Sequence, residues 1–176
     1  MMLYPFDGQE PVVHASVFIA PTAVLVGRVQ VKEQSSIWFH AMARGDINYI
    51  TIGAQTNIQD GCLLHVTQRH PLTIGDRVTA GHGAILHGCS IASDCLIAMG
   101  AIILDGAILG SGCLVGAGSV VPPNMVVPPD SLVMGVPARV IRQLSDSDKE
   151  AVMRGWHNYV GLAESYRLQL AQQANK

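Results

Sequence analysis

The sequence predicts an all-β solenoid, a parallel β-helix built from hexapeptides, followed by one C-terminal α-helix. Three observations carry this. Every sixth residue from Ile85 is aliphatic: Ile85, Ile91, Ile97, Ile103, Leu109, Val115, Val121 and Val127. Four places after the first six of these stands a small residue: Cys89, Cys95, Ala101, Ala107, Cys113 and Ser119. Beyond Leu144 the six-residue period gives way to apolar residues at steps of four and three.

A period of six suits neither a helix nor a hairpin strand. Each six supplies a short strand and a turn, three faces close a coil of about 18 residues, and coils stack by parallel pairing at ~4.8 Å. The aliphatic fills the interior and the small residue fits the narrow wall. Earlier runs keep the period in other phases: Ile19, Leu25, Val31, Ile37, Ala43; then Ile52, Ile58, Leu64; then Ile74 and Ala80. The slips place loops near 44–51, 65–73 and 80–85. Gly53, Gly75, Gly110 and Gly116 are expected at turns. The solenoid domain is expected over 1–144.

Ser145 followed by Asp148 resembles a capping box, with Asp in place of Glu. Val152, Trp156, Tyr159, Ala163, Tyr166 and Leu170 then form one apolar stripe, predicting a helix over 145–172 packed along a β-helix, its own or a neighbour's. Residues 173–176 are expected to fray.

Composition narrows the function. A formal net charge of −2 offers nothing to nucleic acid. Apolar residues reach 49% against 14% charged, which points to surface buried in an oligomer. No apolar run nears the ~18 residues of a membrane span. The N-terminus lacks a basic segment, so a cytoplasmic location is expected. The four cysteines form no C-x-x-C pair, which argues against a cysteine zinc site. Cys95 and Cys113 are 18 apart and so stack within disulfide range, but thiols are expected in a reducing compartment.

Histidines are the candidate chemistry. His82 and His87 each follow an expected inward position, Ala80 and Ile85, by two residues. Both should point outward, from successive faces. Such side chains do not converge within one prism, but they meet at the seams of a three-fold trimer. His65 lies 22 residues before His87, one coil plus an insertion, and shares its face. Each seam would then offer two imidazoles from one chain and one from the next. Three imidazoles with an open fourth position form a catalytic zinc arrangement. Asn57 and Gln59 are two apart and share a strand face beside it. His14, His40, His70 and His157 are expected to be ordinary solvated or hydrogen-bonded histidines.

The stretches ARGDINYITIGAQTNIQDGCLLHV, LTIGDRVTAGHGAILHGCSI, MGAIILDGAILG, GVPARVIR and NYVGLAESY resemble the γ-class carbonic anhydrases and their bacterial hexapeptide-repeat relatives. The resemblance implies a homotrimer of left-handed β-helices and a zinc ion, or iron or cobalt, held between subunits by His65, His82 and His87. His82 would come from the neighbour. It implies that Gln59 hydrogen-bonds the metal-bound hydroxide and that Asn57 positions carbon dioxide. Arg44, Asp46 and Asp60 would join an ion-pair network at the trimer interface, and Tyr159 would reach the pocket from the helix. The reaction implied is reversible hydration of carbon dioxide to bicarbonate. The sequence departs from the family archetype after His65, where VTQRHPLT carries no acid, and Ile47 stands where the archetype has a glutamate. His70 is the candidate proton shuttle in place of that acid. Two rival functions share the fold: a catalytically weak metal-binding trimer serving as a scaffold, and a hexapeptide acyltransferase using acyl-CoA.

Overall fold

A computed structural model describes residues 2–174 of the chain; Asn175 and Lys176, the end of the segment expected to fray, lie outside the described residues. Short parallel strands run round a prism and pair with the strands one coil below. The first face stacks Phe18–Ile19, Ser36–Ile37, Asn57–Ile58, Thr79–Ala80, Leu96–Ile97, Leu114–Val115 and Ser131–Gly135. The second stacks Leu63–His65, Ile85–His87, Ile102–Ile103 and Val120–Val121. The third stacks Leu72–Ile74, Ser90–Ile91, Ile108–Leu109 and Val126–Val127. Two long strands, Val24–Val31 and Met42–Ile52, turn the corner and so belong to the second and third faces at once.

The interior is the aliphatic column. Leu25, Ile37, Ile52, Ile58, Leu64, Ile97, Ile103 and Leu109 are buried, with Cys89, Cys95, Ala101, Ala107, Cys113 and Ser119 between the larger side chains. Each full burial of such an aliphatic contributes roughly 1.5–3 kcal/mol. The expectation fails at Ile85, which is partly exposed and pairs with Ile102, while Leu86 is fully buried and pairs with Ile103. The cause is coil length. Stacked residues are separated by 18, 21, 22, 17 and again 18 positions on ascending the prism. The slip expected at 80–85 therefore lies a few residues later, between His87, paired with His65, and Ser90, paired with Thr73.

Gly53, Gly75, Gly110 and Gly116 serve the stack rather than a left-handed turn. A Cβ on Gly53 would lie 2.4 Å from the Gly75 backbone, and one on Gly75 would lie 2.5 Å from the Ser93 nitrogen. None of the four has positive φ; the left-handed corner positions are held instead by residues such as Gln55, Arg77, Asp94, Gly83 and Gly100.

All four cysteines are buried free thiols. Burial pushes Cys62 up to about 11 and Cys89 up to about 12.

Ser131–Gly135 and Ala138–Gln143 form an antiparallel hairpin that ends the parallel stack. The helix Asp146–Ala174 follows. The Asp148 carboxylate accepts from the Ser145 amide at 2.8 Å, and Ser145 Oγ accepts from the Asp148 amide at 3.3 Å, completing the reciprocal cap. The helix lies on the first face of its own prism, against the strands at 18–19, 36–37, 57–58 and 79–80. Val152 and Ala163 are buried there, and Tyr159 and Tyr166 pack on Trp38 at ring separations of 5.1 and 5.2 Å. Among the described residues no helix is long and apolar enough to cross a membrane.

Candidate functional site

The second face carries the candidate groups on its two edges. At one edge His65 ends the strand Leu63–His65, His87 ends Ile85–His87, and the two residues pair in register. His65 Nδ1 lies 3.0 Å from His87 Nε2. The outer nitrogen of each ring faces a carboxylate: His65 Nε2 lies 3.2 Å from Asp46 Oδ1, and His87 Nδ1 lies 2.5 Å from Asp105 Oδ1. Arg44 pairs in turn with the other oxygen of Asp46. A carboxylate takes the N–H of a neutral imidazole and leaves the other nitrogen as a lone pair. The two nitrogens that face each other are then both donors to a cation.

That donor set fits a divalent transition metal. Two nitrogens bound at ~2.0–2.1 Å to one tetrahedral zinc stand ~3.3 Å apart, close to the spacing seen. Burial, followed by the Arg44 charge, lowers the His65 pKa and favours the neutral, ligating form. Burial opposes ionisation of Asp46, but hydrogen bonds from Arg44, His65 and the amides of Asp46 and Ile47 hold its carboxyl below the usual range.

At the other edge His82 sits in the turn between Thr79–Ala80 and Ile85–His87. Its Nδ1 lies 2.9 Å from Asp60 Oδ2, which leaves Nε2 free. A directional chain fixes its backbone. The His82 amide donates to Gln59 Oε1 at 3.2 Å, Gln59 Nε2 to Asn57 Oδ1 at 3.0 Å, and Asn57 Nδ2 to Thr79 Oγ1 at 2.9 Å. Asn57, Gln59 and Thr79 are buried. Tyr159 stands edge-on to Trp38, and burial followed by the Asp60 charge raises its pKa.

The expected residues thus form two groups within a chain. His65 and His87 converge; His82 makes no hydrogen bond to either. Among the described residues no three His, Cys, Asp or Glu side chains of one chain gather closely enough to hold a metal. Arg44 and Asp46 form the expected ion pair, but Asp60 is not joined to them within the chain: it holds His82. His70 lies over the corner beyond His87, where a Cβ on Gly88 would meet its Cβ at 2.9 Å. Asp105 escaped the sequence reading because Asp-Gly looks like turn punctuation. The signal that could have found it is its position one 18-residue coil above His87.

Between the two edges runs an outward aliphatic stripe. Met42, Leu63, Ile85, Ile102 and Val120 stack in register. Leu63 is 47% exposed and Met42 37%.

Comparison with known proteins agrees with this architecture. A family described as bacterial transferase hexapeptide (six repeats) matches residues 88–123. A probable carbonic anhydrase of Methanocaldococcus jannaschii is 49% identical over 150 residues, covering 85% of this chain and 94% of that protein. A carbonic anhydrase of Geobacillus kaustophilus is 41% identical over 166 residues, covering 94% and 91%. A crystal structure from Bacillus cereus, named a putative acetyltransferase, superposes with a TM-score of 0.94 at 43% identity, covering 96% and 98%. Identity of 41–49% over most of both chains to these carbonic anhydrases shows that the chain belongs to the γ-class carbonic anhydrase family.

Proposed function

We propose that the protein is a homotrimeric, metal-dependent carbonic anhydrase that hydrates carbon dioxide reversibly at the seams between subunits. The observation that carries this is the facing pair of His65 and His87 nitrogens, 3.0 Å apart and each backed by a carboxylate. His82, with its own carboxylate and a free Nε2 on the opposite edge of the same face, is the third ligand, given by the neighbouring chain. The outward stripe from Met42 to Val120 supports that assembly, because an aliphatic face left in water is unfavourable by roughly 25 cal/mol per Å². Zinc, or iron or cobalt in its place, would supply a Lewis acid that brings the pKa of a water towards ~7.

The chain's own residues do the rest. The carboxylates of Asp46, Asp60 and Asp105 orient the three rings. Gln59 and Asn57, pinned to each other, to Thr79 and to the His82 amide, present one fixed set of amide donors and acceptors beside the third ligand. Gln59 also ties the amide pair to His82, so a shift at one is felt at the other. His70, beyond His87, is the group that would pass the released proton to buffer.

Stopped-flow carbon dioxide hydration, on anaerobically prepared protein with metal counted per chain, tests the proposal. A metal-dependent rate that is lost in His82→Ala supports it. Full metal occupancy with no rate above buffer contradicts the enzymatic proposal and favours the metal-binding scaffold. The putative acetyltransferase name of the B. cereus structure keeps acyl transfer as a second reading, and saturable binding of acyl-CoA would favour it.

A further inference from the structure

We infer that Asp105 is a positioning residue: it holds His87 as the Nδ1–H tautomer and so keeps Nε2 bare towards His65. The inference deepens the metal-centre proposal above and rests on it for its consequence, though not for its geometry. The Asp105 carboxylate reaches His87 Nδ1 at 2.5 Å from one coil above, an 18-residue separation. Backbone bonds lock that corner. The Gly88 amide donates to the His65 carbonyl at 3.0 Å, and the Gly106 amide donates to the Gly88 carbonyl at 2.7 Å. His65, His87 and Asp105 are thus carried on three successive coils at one corner, each next to a backbone group in this ladder.

Gly88 supplies a second observation. Its Cβ, if present, would lie 2.7 Å from the Asp105 carboxylate oxygen, and its φ is +51°. The residue directly after His87 is therefore one that leaves a lane for the carboxylate. A side chain there would meet both the Asp105 carboxylate oxygen and the His70 Cβ, so one of them would have to shift. A free neutral imidazole exchanges between two tautomers of similar energy, so a single strong acceptor decides which nitrogen stays bare. At metal sites such partners alter affinity by about 10–100-fold.

A turn-forming aspartate would leave the tautomer alone, which separates the two roles. The experiment uses the full chain as Asp105→Ala and Asp105→Asn, with His87→Gln to assign the resonance. In the metal-free protein, 15N histidine spectra should show His87 as Nδ1–H in the wild type and in Asp105→Asn, whose amide oxygen still accepts. Asp105→Ala should show a mixture or the Nε2–H form. In chelator competition with Zn2+ alone, affinity should fall about 10–100-fold in Asp105→Ala and by less in Asp105→Asn. An unchanged His87 tautomer in folded Asp105→Ala would overturn the inference. If Asp105→Ala does not fold, Asp105→Leu, which also removes the acceptor, decides: an unchanged His87 tautomer there overturns the inference, and loss of the Nδ1–H form supports it. A wild-type protein that binds no metal would instead sink the proposed metal centre, while the spectra still decide whether Asp105 sets the tautomer.

Discussion

Two stretches of one solenoid obey different rules. From Ile91 to Val127 every sixth residue is inside, and the coils repeat at 18. From Arg44 to Ser90 the coils run to 21, then 22, then contract to 17. Every residue expected at the site from sequence, except Tyr159, lies in the second stretch. The extra residues enter at a single corner: Gly27 pairs with Gly45 but Val29 with Ile50, so the insertion that carries Asp46 opens there. The segment from His65 to Leu72, with His70, enlarges the same corner on the next coil. The regular coils act as a ruler that fixes where side chains point. The irregular corner lets polar groups leave that ruler and meet.

If that division is right, substitutions in the two stretches should fail differently. The largest effect belongs to the regular coils. Ile103→Ala empties a fully buried position and should lower unfolding free energy by about 2–5 kcal/mol in a urea titration, with metal affinity unchanged in the folded fraction. In the irregular stretch the stacking is just as close. Gly53→Ala puts a Cβ 2.4 Å from the Gly75 backbone and should lose about 1–3 kcal/mol by the same titration. Equal stability to wild type would mean that the irregular coils stack more loosely than the regular ones.

The helix cap comes next. Ser145→Ala should lose about 1 kcal/mol in thermal melts followed at the helix signal. Arg142 first, and then Ser145, holds the Asp148 carboxyl well below the ordinary carboxylate range. Its folded value lies below the unfolded ~3.9, so its contribution is present above pH ~4 and is lost as pH falls below that. Acid titration of Asp148→Asn should show a shallower loss of helix stability than wild type. The smallest effect is kinetic: His70→Ala should leave stability and the rate at high buffer unchanged, and slow hydration only at low buffer. An unchanged rate at low buffer removes His70 as the shuttle.

The same division explains what could be read in the sequence. A strict period with one residue type per column leaves little choice, so the interior from Ile91 to Val127 is legible. Ile85 was misplaced because Leu86 is equally aliphatic and the missing position lies three residues later. The histidines could be assigned to faces because one coil is a known distance. Their carboxylates are harder to assign: Asp46 sits inside an insertion, where spacing carries no register, and Asp105, though one 18-residue coil above His87, sits in an Asp-Gly pair that reads as a turn. Gly53 and Gly75 looked like turn residues, yet their constraint is the neighbouring coil, which no local pattern reveals.

If the third imidazole comes from another chain, mixed trimers will reveal it. His82→Ala and His65→Ala/His87→Ala chains, carrying different tags, would be prepared separately and co-assembled, and doubly tagged trimers isolated for metal counting. Neither parent should retain metal, and mixed trimers should regain it at seams where an intact His65–His87 pair faces an intact His82. Full occupancy in His82→Ala alone, or mixed trimers as empty as their parents, would contradict it.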